Sequence, residues 1–342
     1  MDIFQKVSLK DYSTMRLGGI AQYLVKINSK DELEDAVKWA KSEKLNMLMI
    51  GRGSNIIWRD EGYDGLVIVN NIEGFEAVSE DQEYLYITVG AGEDWDFVVK
   101  RTVDLGYSGL ESLSLIPGSA GSTPVQNVGA YGSEISECLV SVEAYDLSKN
   151  KFVVIKNEEC NFAYRSSRFK TEDKHRFLIT AINLKLSKKR AEPPFYSSVQ
   201  KYIEENKIDK ITPRVIREAV ISIRSAKLPD PNIVPNSGSF FTNPIINASS
   251  FKKLIKQEPT ISYWEIDKSN YKLSAAWLIE NAGYKAVNDP DTGISTWPTQ
   301  PLVFVNTSAK STEDLLKFKR KVVKDVNSKY GVKLTQEPEL LP

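Results

Sequence analysis

The chain has 342 residues, 41% apolar and 26% charged, a composition that excludes a disordered or fibrous protein and is long enough for two or three packed subdomains. Lys plus Arg and Asp plus Glu number 45 each, so no net field exists to hold a polyanion; nucleic acid is excluded as a partner, and an anionic ligand must be met by a few placed cations. The opening MDIFQKVSLKDYSTM carries no basic, apolar leader and no later run reaches the roughly 18 apolar residues of a membrane span, so a cytoplasmic protein without membrane contact is expected.

Residues 20–27 alternate as a strand, and Ser29 with Glu32 forms a capping-box signature ahead of Leu33, Ala36, Val37 and Ala40 at helical spacing. A second strand at 47–50 leads into Gly51-Arg52-Gly53-Ser54-Asn55. This run lacks the third glycine of GxGxxG, and the chain passes through Trp58-Arg59-Asp60-Glu61-Gly62 to a strand at 66–70 rather than into a helix, so a Rossmann unit is ruled out by context. Strands are further predicted at 84–90, 139–146, 152–156 and 177–187, with an amphipathic helix near 94–105, an α+β pattern rather than strict βα alternation. Between them lies Ile116-Pro117-Gly118-Ser119-Ala120-Gly121-Ser122-Thr123-Pro124-Val125-Gln126-Asn127-Val128-Gly129-Ala130-Tyr131-Gly132, a run able to bring many backbone donors close to a ligand.

Around Ala191-Glu192-Pro193-Pro194 the strand pattern stops and helices take over, the best domain boundary in the sequence. Thr212 as cap and Pro213 at the first helical position open a helix to about Ala226. Another is predicted from Ser274 to Glu280, closed by Gly283, and a third from Ser311 through Tyr330, closed by Gly331, with Leu315, Phe318, Val322 and Val326 as a core stripe. Cys138 and Cys160 are the only cysteines, lack CxxC spacing and read as structural thiols. His175, the only histidine, lies in Glu172-Asp173-Lys174-His175-Arg176, which reads as a solvated loop. The chemistry must then do without a histidine acid or base, and no metal site is expected.

Five segments, in this order and spread over nearly the whole chain, resemble the UDP-N-acetylenolpyruvoylglucosamine reductase family (UDP-N-acetylmuramate dehydrogenases) in its longer, type I form. They are Gly51-Arg52-Gly53-Ser54-Asn55, the loop 117–132, Tyr164-Arg165-Ser166-Ser167-Arg168-Phe169-Lys170, Gly238-Ser239-Phe240-Phe241-Thr242-Asn243-Pro244, and Glu337-Pro338-Glu339. The resemblance implies an α+β chain: a vanillyl-alcohol-oxidase-like FAD-binding region over 1–190, in two α+β subdomains of about 1–70 and 71–190, then an α+β substrate-binding domain over 191–331. The apolar tail 332–342 is expected to return to the FAD-containing half. The implied activity is NADPH-dependent reduction of UDP-N-acetylglucosamine enolpyruvate to UDP-N-acetylmuramate through FAD, in peptidoglycan precursor synthesis, by a monomer.

By that resemblance FAD rests on Gly51, Gly53, Ser54, Asn55, Pro117, Gly118, Ser119, Gly121, Ser122, Thr123, Gln126, Asn127, Gly129, Ala130 and Tyr131. Backbone N–H groups, hydroxyls and amides there suit a diphosphate in a domain with little positive charge. Attachment is expected to be noncovalent, because His175 and both cysteines fall outside these loops. Arg165 matches the arginine that binds the enolpyruvyl carboxylate, Ser239 the proton donor, and Glu339 the carboxylate that shares a proton with the substrate carboxylate. The tail departs from the family pattern after Glu339, running Leu340-Leu341-Pro342. Tyr164, Tyr196, Lys227, Asn243 and Gln300 match substrate-binding positions, the last four at the UDP diphosphate; NADPH and the sugar nucleotide are expected to use one cleft in turn. Another FAD oxidase or dehydrogenase of a small alcohol or hydroxy acid would leave the Arg165, Ser239 and Glu339 segments unexplained, as would an inert flavin-binding protein.

Overall fold

The computed structural model describes all 342 residues, which divide into two compact units. The first comprises Met1–Val7, Ala21–Arg52 and Tyr63–Ala226; the second comprises Ser8–Ile20, Gly53–Gly62 and Lys227–Pro342. No helix is long and apolar enough to cross a membrane.

The first unit contains two large sheets and a two-stranded one, Gly129–Ala130 with Ser133–Glu134. One has the strand order Ile3–Ser8, Ile20–Ile27, Tyr63–Asn70, Met47–Ile50, with the last two pairings parallel. Helix α1, Lys30–Ser42, packs Leu33, Ala36, Val37 and Ala40 against Val25, Ile27, Leu66 and Ile68, the face that its apolar spacing predicts. Ser29 caps it by accepting from the Glu32 N–H at 3.1 Å, but the returning Glu32 carboxylate takes the Asn28 N–H at 2.6 Å, one residue earlier than the expected box. The second sheet is antiparallel, in the order Lys151–Lys156, Leu139–Asp146, Phe177–Ser187, Tyr84–Gly90, Phe75–Glu80. Helix α2, Trp95–Asp104, covers it with Trp95, Val98, Val99 and Val103. Helices α3, Ser197–Glu205, and α4, Pro213–Lys227, bury Val199, Ile203, Ile216, Ala219 and Val220 together with Tyr131 and Phe195.

In the second unit a four-stranded sheet runs Asn236–Ser239, Gln300–Asn306, Ile294–Trp297, Asn288–Asp289. A smaller sheet runs Ile245–Asn247, Asn270–Leu273, Tyr263–Asp267. Helices α5 (Ala248–Gln257), α6 (Ala275–Ile279) and α7 (Thr312–Tyr330) complete it. Its core is aromatic: Phe240 stacks on Phe304 with ring centroids 4.5 Å apart, Phe241 and Phe318 meet Phe304 edge to face, and Met15, Leu17 and Ile57 from early in the chain join them.

The compact units divide elsewhere than at 191. Residues 191–226 stay with the first unit because α3 and α4 share its apolar cluster, while 8–20 and 53–62 belong with the second. The tail does return to an early segment: Glu339–Leu341 runs parallel to Ile56–Trp58, with Glu339 N–H donating to Asn55 O at 2.9 Å. That segment is part of the second unit, so the tail's return stays within it. His175 is exposed in a turn, but the run around it is not simply solvated: Asp173 is buried, accepting from Arg168 Nε at 2.7 Å and from Arg176 Nη1 at 2.8 Å.

Candidate functional site

In the first unit, the glycine-rich loop is shaped by short-range bonds that a run of Ser, Thr and Asn makes readily. Ser119 and Ser122 close a capping box around the turn Ala120–Ser122. Thr123 Oγ1 donates to Ala120 O at 2.7 Å. Gly51 lies so close to this turn that a Cβ there would come within 2.2 Å of Ser119 Oγ, so the two candidate cofactor loops pack side by side and a larger residue would displace the Ser119 hydroxyl. Asn127 and Tyr131 hold left-handed backbone, at φ 47 and 50, with Asn127 Nδ2 donating to Glu134 Oε2 at 2.6 Å and Ala163 O at 3.3 Å.

The Tyr164 to Lys170 segment is sewn to this loop. Arg165, itself at φ 53, donates through Nη2 to the Gly129 carbonyl, and Ser167 Oγ donates to Val125 O at 2.7 Å. Arg165 lies 5.3 Å from the Tyr164 ring and Lys170 Nζ reaches the Arg165 carbonyl at 3.4 Å. Tyr196 meets Tyr131 edge to face at 5.6 Å, and both line a cavity of about 400 Å³ with Ser108, Glu111 and Glu137. Arg165, Tyr164 and Tyr196 are thus gathered with loop residues of the cofactor set.

Sequence reasoning missed Arg224, on α4, whose Nε is buried with no hydrogen-bond partner in the chain. Burial lowers its guanidinium pKa, against which the Tyr131 hydroxyl and Asp96 act. Its spacing of seven from Arg217 on one helical face was the available signal, but only the fold shows that this face is inward. Glu111 is also buried: burial pushes its carboxyl up, against the N–H of Gly109, which it accepts at 2.6 Å.

The second unit gathers the remaining candidates. Asn236 accepts the Gly238 N–H on its side chain at 2.9 Å and breaks the register of its strand, so Gly238 turns to φ 71 and Ser239 rejoins the ladder opposite Val303. Space does not demand glycine here, since a Cβ would meet nothing within 4 Å; the backbone angle does. Phe240 N–H donates to Leu302 O, and Glu337 N–H donates to Phe240 O at 3.0 Å, so the Ser239 and Glu339 segments run side by side. One Glu339 carboxylate oxygen is shielded from solvent. Gln300 faces Trp297 across a hairpin whose Thr299 hydroxyl donates to the Lys227 carbonyl at 2.8 Å, which brings Gln300 and exposed Lys227 together. Asn243 uses its side-chain oxygen to accept the Ala275 N–H at 2.9 Å. Gly53, Ser54 and Asn55 fall in this unit as well, although Gly51 belongs to the first.

Comparison with known proteins identifies two family matches along the chain. Residues 21–155 match the family described as FAD binding domain, and residues 230–341 match the C-terminal domain family of UDP-N-acetylenolpyruvoylglucosamine reductase. The reductase of that name from Flavobacterium johnsoniae is 37% identical over 342 residues, 100% of both chains. Its counterpart from Escherichia coli K12 is 36% identical over 335 residues, covering 97% of this chain and 94% of that one. The crystal structure of the Thermus caldophilus reductase superposes with a TM-score of 0.66 at 23% identity, over 100% of this chain and 98% of that one, a likeness of fold. The architecture is α+β, an FAD-binding domain followed by the reductase family's C-terminal domain.

Proposed function

The chain belongs to the UDP-N-acetylenolpyruvoylglucosamine reductase family, and from that premise we propose that it reduces UDP-N-acetylglucosamine enolpyruvate to UDP-N-acetylmuramate, with NADPH as the reductant. The cofactor fits the first unit: the close approach of Gly51 to Ser119 and the unpartnered buried Nε of Arg224 suit a diphosphate held by backbone donors, hydroxyls and one cation. FAD, when bound, accepts hydride from NADPH and supplies it to the terminal carbon of the enolpyruvyl group.

Negative charge then builds on the neighbouring carbon and on the carboxylate it carries. Arg165 presents a planar fork of donors to that carboxylate, and Glu339 shares a proton with it. Ser239 gives its hydroxyl proton to the carbon. A serine is acid enough because the acceptor is a far stronger base. Lys227, Asn243, Gln300 and Tyr196 hold the UDP diphosphate, one charge and neutral donors sufficing. Nucleotide substrates of this kind support a cytoplasmic enzyme, and a monomer is expected.

The observation that supports this reading most is the backbone bond from Glu337 to Phe240, which sets the proton donor's segment beside that of the carboxylate. The test is an anaerobic titration of the purified yellow protein. NADPH should bleach the flavin absorbance and the enolpyruvyl sugar nucleotide should restore it, while heat should release intact FAD. A protein that cannot be loaded with FAD, or whose bleached flavin is not restored by that substrate, overturns the assignment.

A further inference from the structure

The first unit contains a partly buried ion pair that the reaction does not use. Asp96 lies in the first turn of α2, and Arg217, 8% exposed, in α4. The guanidinium meets the carboxylate as a fork, Nη1 to Oδ1 at 2.6 Å and Nη2 to Oδ2 at 2.8 Å. Asp96 Oδ1 also accepts the N–H of Leu115, which stands at φ 58, a conformation unfavourable for a residue with a Cβ.

Leu115 opens directly into the glycine-rich loop, and the neighbouring bonds serve the same junction. Trp95 N–H donates to Gly118 O at 3.1 Å, its indole Nε1 to Leu113 O at 3.1 Å, and Ala120 N–H to Glu93 O at 2.9 Å. The first turn of α2 is therefore laced to the whole entrance of the loop. Two helical turns beyond Arg217, Arg224 interacts with the hydroxyl of Tyr131 near the loop's exit. Helix α4 thus spans the loop from entrance to exit, fastened at one end by Asp96.

We propose that Asp96 and Arg217 are positioning residues for the flavin: by fixing α4 and the left-handed Leu115 to the first turn of α2, they hold the loop 117–132 with its donors already arranged for the FAD diphosphate. The ordering cost is met in folding rather than on binding, so the cofactor is held more tightly. Burial alone would raise the Asp96 carboxyl, but Arg217, the Leu115 N–H and the charge of Arg224 together hold it below the usual carboxylate range. The inference rests on the reading that this loop carries FAD.

The test is FAD release from holoenzyme on dilution, followed by recovery of free-flavin fluorescence, alongside urea unfolding at saturating FAD. Asp96→Ala removes both the fork and the Leu115 acceptor and should raise the FAD dissociation constant at least about tenfold. Asp96→Asn keeps an acceptor for Leu115 but loses the charge, and Arg217→Lys keeps the charge but loses the fork; each should give a smaller rise. Adding Leu115→Gly to Asp96→Ala should recover part of the affinity, because glycine adopts this φ unaided. A purely structural pair would lower the urea midpoint and leave the dissociation constant unchanged, and that result overturns the proposal. Should Asp96→Ala fail to fold, unchanged FAD release in both Asp96→Asn and Arg217→Lys overturns it equally. Wild-type protein that never holds FAD would instead sink the cofactor reading itself.

Discussion

Glu337 donates its backbone N–H to the carbonyl of Phe240 at 3.0 Å, tying the residue after Ser239 to the residue two before Glu339. Phe240 is fully buried and stacked on Phe304, so the segment carrying the Ser239 hydroxyl is anchored in the aromatic core. Removing that hydroxyl should leave the backbone unmoved. Ser239→Ala is accordingly expected to bind FAD and be reduced by NADPH at nearly the wild-type rate, while reoxidation by the enolpyruvyl substrate slows by at least about a hundredfold, the low end for a placed general acid. Ser239→Cys should retain more activity than the alanine variant. Anaerobic stopped-flow absorbance of each half-reaction decides: normal reoxidation in the alanine variant removes Ser239 as proton donor.

Lys227 is exposed, and the bond from the Thr299 hydroxyl goes to its carbonyl rather than its side chain; under the proposed function its ammonium meets the UDP diphosphate. Lys227→Ala should raise the KM for the sugar nucleotide roughly tenfold to 150-fold, the loss of one charge-assisted bond of about 1.5–3 kcal/mol, with kcat little changed. Steady-state kinetics showing depressed turnover at an unchanged KM would assign Lys227 another task.

Both cysteines are buried. Burial pushes Cys138 up to about 12, with the charges of Glu111 and Glu137 adding to it, and burial pushes Cys160 up to about 12. At pH 8 only about one thiol in ten thousand is then the reactive thiolate. Native protein should give no thiol titration with a disulfide reagent over an hour, and denatured protein should give both. Rapid labelling of the native chain would show that the burial is easily opened.

Asp146 is 1% exposed and accepts from Arg176 Nε at 3.0 Å and Nη2 at 2.7 Å, and from the N–H and hydroxyl of Ser148. Arg176 first, then Ser148, holds its carboxyl well below the usual carboxylate range. A depressed folded-state pKa contributes stability that is full above the unfolded value of about 3.9 and is lost as pH falls towards the folded one. Asp146→Asn should cost about 1–3 kcal/mol near neutrality. The difference in urea midpoint from wild type should stay constant from about pH 5 upwards and narrow below about pH 4; a gap that widens in acid would reverse the assignment.

The sequence was most readable where burial alternates along a strand or a cap opens a helix. The strand at 84–90, the helix opened by Thr212 and Pro213, and the helix capped by Ser311 are all found where local chemistry predicts them. Strand Phe75–Glu80 left no signal because it is an almost wholly exposed sheet edge with no apolar alternation. Helix α3 lacks a side-chain cap, and Asn236–Ser239, reading Asn-Ser-Gly-Ser, has no β-branched or aromatic residue to mark a strand. In the candidate site, the glycine-rich loop and the segments of Arg165, Ser239 and Glu339 stood out by composition and order. Arg217 and Arg224 did not, because what makes them unusual is burial against partners about a hundred positions away, and long-range contacts carry no local period.

The second unit is built from three separated stretches, 8–20, 53–62 and 227–342, and Met15, Leu17, Ile57 and Trp58 from the first two are enclosed within it. During synthesis these residues leave the ribosome long before the strand Glu339–Leu341 that pairs with Ile56–Trp58. At roughly 5–20 residues per second they wait some tens of seconds with apolar surface uncovered. A nascent chain arrested at residue 226 would leave Met15, Leu17 and Ile57 without the later residues that cover them.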